Sequence, residues 1–519
     1  MSGTMNRPGR KPKIVYLPLD ERPCNYEFPY LLAKDSAVSL VRPPLPLMGR
    51  KKQPGDTDGL WAWLEAECAD AYGAIVSLDT LLYGGIVPSR LHSLDAEACE
   101  ARIRRLRELK RSHPRLKLFA VHLIMRCPQY SIADEEPDYY ADWGRELFLS
   151  GYLRHRQELG LASEEEAAEL ARIEAALPEE VRDDYLGRRA VNAEANKAAV
   201  ASAAAGVIDF LVIPQDDSAP YGWTAKDQEL VREEIARCDA ELRTLMYPGA
   251  DEAGCTLLAR MLNELHGRAP LVYPRLSSAN GPYFTPIYED RPFFESLKAH
   301  ILAAGGHTAA SAEEADLLLL VNTPGGAMKE AVTQRYPYAD DQVLRSLVEL
   351  VEYGAFALER YGKPIGVADV AYGNGGDLLL LKLLRQKGLL FRLGGYAGWN
   401  TSANSLGTVL AQLMLFSIYG PTQGHLDFLA LRYVEDFGYC SSVRRAIANG
   451  PIRELGLDYF AVDGQRGKAA ELVREALTRF ANEHINHKSE YRVAITDCYM
   501  PWSRMFETGL EVKAVRNRD

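Results

Sequence analysis

The stretch VIPQDDSAPYG, residues 212–222, decides how this chain is read. An apolar run, Phe210 to Pro214, reads as a buried strand that leads into two adjacent carboxylates, Asp216 and Asp217. A tight turn follows at Pro220, Tyr221 and Gly222. Neighbouring carboxylates repel and compete for protons, so their pKa values are driven apart and one can act as an acid while the other stays charged. Side chains alternate faces along a strand, so both acids can address one site only where the strand has already turned. The sequence Ser-Ala-Pro-Tyr-Gly supplies such a turn. The alternative is that one acid caps the helix starting near Thr224.

The same layout recurs outward from this point. Apolar runs end at Asp20 in LPLDERP, at Asp79 in IVSLDTLLYGG and at Asp369 in VADVAYGNGGD, and another ends near Trp399 and Asn400 in GGYAGWNTSAN. Polar residues gathered at the carboxyl ends of apolar strands are how α/β folds build sites. The strand candidates are Ile14–Leu19, Ser39–Arg42, Ala74–Leu78, Lys117–Ile124, Phe210–Pro214 and Thr244–Tyr247, then Leu271–Arg275, Leu317–Asn322, Ile365–Val370, Phe391–Gly395 and Arg492–Thr496. Helical patterns such as Leu60–Tyr72, Asp95–Ser112 and Lys226–Cys238 separate them, which reads as βα units of a parallel sheet. Asp56 or Asp58 is a fitting N-cap for the first long helix.

Two architectures fit. The favoured one closes about eight strands into a (β/α)8-like barrel, which brings every strand end into one mouth. The other is two open doubly wound domains that divide near residue 305. The expected organisation is a disordered tail at 1–12, a catalytic α/β region at 13–404 with a helical insertion at 150–205, and a mostly helical region at 405–519 with one late strand. In the insertion, Asn192 and Asn196 share a helix face and read as solvent-facing.

Composition narrows the function classes. The chain has 519 residues, 47% of them hydrophobic and 25% charged, with a net charge of −11. No dominant basic field is present, which argues against nucleic acid or an anionic membrane as partner. No apolar run approaches the roughly 18 residues of a membrane span. The basic start, MSGTMNRPGRKPK, lacks the apolar segment of a signal peptide. Eight scattered cysteines form no CxxC pair, so a disulfide framework is not expected and a cytoplasmic location is. Ten histidines form no HxH or HExxH pair, so no His-based metal site and no cofactor is expected, and no GxSxG elbow is present.

The candidate site residues follow from the strand ends. Arg22 beside Asp20 either orients that acid, binds a substrate oxygen, or forms a structural salt bridge. Asp79 precedes Tyr83 and paired glycines that admit a ligand close to the backbone. Asp251 and Glu252 read as caps of the next helix. VNTPGG begins at Asn322, and AYGNGGD contains Tyr372 and Asn374; both are glycine-rich turns able to offer backbone N–H groups to an anion. Trp399 with Asn400 suits a sugar ring, whose apolar face stacks while amides bind hydroxyls. Trp502, with Arg504 and Glu507, either folds over the mouth or anchors the terminus.

YLPLDERPCN, SLDTLLYGGIVPSR, IPQDDSAPYG, YPGADE and GYAGWNTSANSLG together resemble the bacterial family catalogued as domain of unknown function 4127. A shorter resemblance links the acid pair to retaining β-N-acetylhexosaminidases, and the family resembles bacterial β-N-acetylgalactosaminidases. That likeness implies a (β/α)8 enzyme that uses the substrate's own 2-acetamido group as nucleophile. It implies that Asp216 orients the acetamido nitrogen, Asp217 protonates the leaving oxygen, and Tyr221 bonds the acetamido oxygen. The substrate-binding set is then Asp20, Arg22, Asp79, Tyr83, Asn322, Asp369, Tyr372, Asn374, Trp399, Asn400 and Trp502. The expected partner is a small carbohydrate, and a homo-oligomer is allowed. The alternative is a divalent-metal hydrolase built on Asp20, Asp79, Asp216 and Asp217.

Overall fold

The computed structural model describes residues 11–336 and 342–517. The basic tail expected at the start therefore lies, up to residue 10, outside the described residues. Among the described residues, thirteen strands fall in the α/β region: β1 (Lys13–Leu17), β2 (Ser39–Val41), β3 (Gly73–Ser77), β4 (Lys117–Val121), β5 (Phe210–Gln215) and β6 (Thr244–Pro248) come first. They are followed by β7 (Leu271–Leu276), β8 (His307–Thr308), β9 (Leu317–Asn322), β10 (Lys329–Glu330), β11 (Ile365–Asp369), β12 (Tyr372–Gly373) and β13 (Gly395–Ala397). A hairpin of β14 (Tyr491–Tyr499) and β15 (Gly509–Arg516) ends the chain.

The strands do not close into one barrel. They form two open sheets with every pairing parallel, one in the order β2-β1-β3-β4-β5-β6 and one in the order β13-β11-β9-β7-β8. The reason is local to β6 and β7. After β6 the chain enters the helix Ala253–Leu265, and β7 pairs with β8 and β9 instead of extending the first sheet. The change of sheet thus comes before residue 271, and the division expected near 305 falls inside the second sheet. Short β10 and β12 make a separate parallel ribbon.

Strands β3, β5, β9, β11 and β13 are buried along their whole length, as parallel strands covered on both faces must be, whereas the edge strand β8 is exposed. Ile14, Val15, Ala74, Ile75, Leu211, Val212, Leu317 and Leu319 are all fully buried. One apolar cluster runs through both sheets, with Tyr16, Phe119 and Phe210 in continuity with Leu317, Val367 and Val409. The joint is the helix Ala253–Leu265, buried on nearly every face because it lies between the sheets. Its neighbour is the helix Ser402–Tyr419. Gly407 permits their contact: a β-carbon there would collide with the Glu252 Cγ.

Asp56 caps the helix Thr57–Cys68 by accepting from the Gly59 amide. Pro178 separates the helices Glu164–Ala176 and Glu179–Ala204. Asn192 and Asn196 are not on a solvent face. Both are buried, and their amides donate to the Ser89 and Leu123 carbonyls, tying that helix to the loops after β3 and β4. The last region holds two strands rather than one, since β15 pairs antiparallel with β14. No helix among the described residues is long and apolar enough to cross a membrane.

Gly407→Ala is expected to lower the unfolding free energy by about 1–3 kcal/mol, because overpacking at the joint forces two helices apart. A urea titration checks this.

Candidate active site

Five strands of the first sheet send residues from their carboxyl ends into one cavity of about 280 Å³. Arg22 follows β1, Ile86 and Arg90 follow β3, and Arg126, Tyr130, Asp134 and Glu135 follow β4. Asp216 and Asp217 follow β5, and Asp251 follows β6. The second sheet closes the cavity with Tyr288, Asn374 and Asn400, and the C-terminal region adds Tyr459, Phe460, Arg504 and Phe506. This is where doubly wound sheets bind ligands: outside the carboxyl ends of the strands.

Both acids of the pair reach this cavity. Their side chains are 19% and 20% exposed, and each lines its wall. Alternation along a strand would have sent them to opposite faces. The chain avoids this because Asp217 sits in the left-handed region, at φ 41°. Neither acid caps the following helix, Trp223–Arg237, whose start at Gly222 carries no side-chain cap. Tyr288, Asn374 and Asn400 also have positive φ, at 70°, 58° and 49°. Non-glycine residues rarely hold this conformation, and clusters of them mark functional sites.

Three guanidinium groups organise the acids. Arg90 Nη2 lies 2.8 Å from Asp216 Oδ2, while its Nη1 reaches Glu135 at 3.1 Å and Glu136 at 3.2 Å. Arg126 donates to Asp217 at 3.1 Å, to Glu136 at 2.7 Å and to Glu135 at 3.2 Å. Arg504, from the loop of the C-terminal hairpin, binds Asp134 at 2.7 Å and Glu507 at 3.0 Å, and it also contacts Glu135. A fourth, Arg22, is gripped by Asp20 and Asp251, each at 2.6 Å. Trp502 lies between Arg22 and Arg504, with their guanidinium carbons 4.7 and 4.5 Å from its ring. Its indole N–H donates to Glu21 at 2.6 Å.

Burial, then the charge of Asp217, pushes the Asp216 carboxyl up to about 7 against the opposing pull of Arg126 and Arg90. Burial also raises Asp251 to about 6, opposed by Arg22 and reinforced by Asp20. Glu135 goes the other way. Burial would raise it, but Arg504, Arg126 and Arg90 hold it well below the usual carboxylate range.

Of the residues expected at the site, Asp216, Asp217, Arg22, Asn374 and Asn400 line the cavity. Trp399 lines a small apolar recess that continues from it past Cys24, Cys440 and Phe506. Trp502 and Asp20 stand behind it and position Arg22. Tyr221 is not part of it: its ring packs edge-on against Tyr152, 5.7 Å away, on the helix Tyr140–Glu158. Asp79 is buried and accepts from the Leu123 amide, and burial raises it to about 7. Tyr83 stacks on His92.

Asn322 and Asp369 form a separate buried network, in which the Asn322 amide donates to Asp369 at 2.8 Å and Arg345 pairs with Asp377 at 2.9 Å. Tyr372 is buried beside Arg345. The amides of the 371–377 turn are taken up internally: Asn374 by the Asn400 carbonyl, Gly376 by the Asp436 carbonyl and Asp377 by the Asp369 carboxylate. They do not form an anion cradle. Asp251 and Glu252 are not caps either. Asp251 serves Arg22 and Asn25, and Glu252 accepts from the Ala250 amide and faces His300 at 3.4 Å. The four aspartates of the metal reading do not converge. Among the described residues, no three His, Cys, Asp or Glu side chains form a set that could hold a metal ion.

The reading of the sequence missed Arg90, Arg126, Tyr130, Asp134, Glu135 and Glu136. Arg90 ends the short 3-10 helix Pro88–Arg90 after β3, and the other five lie in coil after β4. The only signal available was the acidic run Asp134-Glu135-Glu136 within reach of two arginines that each follow a strand.

Glu135→Gln is expected to lower stability at pH 7 by about 3 kcal/mol, since it leaves guanidinium charge partly uncompensated in a buried setting. The folded pKa of Glu135 is depressed, so its contribution is present above the unfolded value and is lost as pH falls. The gap between variant and wild type should therefore narrow in acid, as read from urea midpoints at pH 7 and pH 4.

Comparison with curated proteins finds no match. A family model described as a protein of unknown function (DUF4127) matches residues 14–511, which covers both sheets and nearly all of the hairpin. The chain belongs to the DUF4127 family.

Proposed function

We propose that the protein is an exo-acting, retaining glycoside hydrolase that removes a terminal β-linked N-acetylhexosamine by substrate-assisted catalysis. GalNAc is the favoured sugar, on the resemblance to β-N-acetylgalactosaminidases, with GlcNAc second. The observation that carries the reading is the placement of Asp216 and Asp217 side by side on one wall of a small cavity. Adjacent acids are what a reaction needs when the nucleophile belongs to the substrate and no enzyme carboxylate has to stand across the ring.

Asp216, paired with Arg90, accepts the acetamido N–H and so turns the acetamido oxygen toward the anomeric carbon. That oxygen forms a bond to the anomeric carbon as the glycosidic C–O bond breaks. The two acids carry one proton between them; in the reactive form it sits on Asp217, which gives it to the leaving oxygen and then takes one from the water that attacks the anomeric carbon. The bond to the acetamido oxygen breaks, the acetamide is restored, and the two inversions leave the configuration retained. The hydroxyl that the resemblance assigns to Tyr221 has to come from another residue, and Tyr130 and Tyr459 line the cavity. Phe460 and Phe506 offer apolar surface to a sugar face, and Asn374 and Asn400 offer amides to its hydroxyls. No observation favours the metal-dependent alternative: Asp20 is spent on Arg22 and Asn25, and Asp79 on a backbone amide.

Asp216→Asn and Asp217→Asn are each expected to cut hydrolysis of a nitrophenyl N-acetylhexosaminide by about 10²–10⁴-fold. A thiazoline analogue of the sugar should inhibit wild type, and EDTA should leave the rate unchanged. Retained activity in both variants would reject the assignment.

The pH profile is a separate check. Asp216 must be ionised to accept the N–H, and its pKa is held up to about 7. The same reaction needs Asp217 to hold a proton, so the pair must carry one; above about 7 the pair loses it, and kcat/KM, which reports groups of the free enzyme, should fall about tenfold per pH unit there. A flat profile between pH 5 and pH 8 would remove the pair from this role.

A further inference from the structure

On the far side of Asp217 the protein opens a second cavity. This groove of about 600 Å³ shares Tyr130, Asp217 and Tyr288 with the first cavity and has about twice its volume. Asp217 therefore stands at the junction of a smaller space and a larger one. In the hydrolase reading, that junction is where the scissile bond lies. The terminal sugar fills the smaller side and whatever it is attached to extends into the groove.

The groove walls have a definite chemistry. Tyr130, Phe148 and Tyr288 supply ring faces, and Pro128 and Pro286 extend the rigid apolar surface between them. Tyr288 is held by its own hydroxyl, which donates to Glu330 at 2.7 Å, and the same carboxylate receives the Asn374 amide at 3.0 Å. One group on this wall has no structural role. Ser218, the residue after Asp217, is 4% exposed, and its Oγ has no hydrogen-bond partner among the described residues. Buried hydroxyls are almost always paired, so an unpaired one lining a groove beside the proton donor awaits a partner from a ligand. Ring faces with a nearby buried hydroxyl fit a pyranose, which presents an apolar face and a hydroxyl edge together.

We propose that this groove is the aglycone subsite and holds a second sugar ring, so that the substrate is an oligosaccharide and not the glycoside of a small alcohol. The proposal rests on the hydrolase reading given above. Ser218 Oγ bonds a hydroxyl of the second ring, and Phe148 forms part of the surface on which that ring rests. Both are specificity-determining residues for the leaving group, and neither touches the terminal sugar.

The test compares two substrates on wild type, Ser218→Ala and Phe148→Ala. One is the N-acetylgalactosaminyl fluoride, whose leaving group is too small to reach the groove. The other is a trisaccharide ending in the same sugar. Each variant should lower kcat/KM for the trisaccharide about tenfold and leave the fluoride within twofold of wild type. Ser218→Ala removes a hydroxyl that bonds nothing, so its melting temperature should match wild type. Equal losses on both substrates, or no loss on either, would overturn the proposal. So would faster cleavage of a serine-linked glycopeptide than of the trisaccharide. If wild type cleaves the fluoride but not the trisaccharide, the subsite fails and the hydrolase reading stands. If it cleaves neither, the hydrolase reading fails and the subsite with it.

Discussion

Arg90 and Arg126 hold the candidate site together by pairing with four carboxylates in a space where water is scarce. A charge withdrawn from water costs several kcal/mol unless it is paired and hydrogen-bonded. Arg90 is 2% exposed, so it cannot relax toward solvent if a partner is lost. Its partners come from two places, Glu135 and Glu136 in the loop after β4 and Asp216 at the end of β5. Arg126 bonds the first two again and adds Asp217. Glu135 also reaches Arg504, which draws the C-terminal hairpin into the same network. Three loops and a hairpin are thus fixed relative to one another by charge pairing. Coil segments without regular backbone bonding have no other strong means of holding such positions.

Backbone conformation does the remaining work. A residue forced into the left-handed region costs about 1–2 kcal/mol when it carries a β-carbon. The cavity wall contains four such residues, Asp217, Tyr288, Asn374 and Asn400. The position of Asp217 shows the benefit. Extended backbone there would point one of the two acids away from the ligand, whereas the left-handed turn presents both to it. The strain is tolerated because the segment is over-determined. Arg126 holds the Asp217 side chain, and the next backbone N–H donates to the Tyr288 carbonyl at 2.9 Å.

The strands were readable because a parallel sheet covered on both faces demands unbroken apolar runs, and the runs ending at Leu17, Ser77, Gln215, Asn322 and Asp369 carry that pattern. Their grouping was not readable. A βα rhythm supports one barrel or two open sheets equally well, and the choice depends on which strands pair across long stretches of chain. Asp216 and Asp217 were legible from their place at a strand end. Tyr221 was misread because Gly222, at φ 117°, ends the turn and the Tyr221 ring packs on Tyr152 instead of the cavity. Arg90, Arg126 and Glu135 left almost no local trace. Arg90 meets Asp216 across 126 residues, and no periodicity or motif marks a pairing at that separation. Asp251 was visible as an acid after a strand, but its true partner, Arg22, is 229 residues away.

The two sheets divide the chemistry of the site. The first supplies most of its charge: Arg22, Arg90, Arg126, Asp216, Asp217 and Asp251. The second supplies neutral groups, Tyr288, Asn374 and Asn400. This separation keeps the carboxylates next to the guanidinium groups that hold them and leaves the opposing wall able to receive a neutral, hydroxyl-bearing ligand without desolvating further charge. It also makes the site depend on how the sheets are joined. The joint is rigid at two depths. Deep in the core, the helix Ala253–Leu265 lies on the first sheet and packs against the helix Ser402–Tyr419, which lies on the second, and Glu252 faces His300 with neither exposed. At the cavity itself, the hydrogen bond from the residue 218 amide to the Tyr288 carbonyl links the acid pair's own strand end to the second sheet's loop. Any relative movement of the sheets would first stretch that bond, one residue from Asp217, so the acid pair and the neutral wall keep their spacing only while the joint holds.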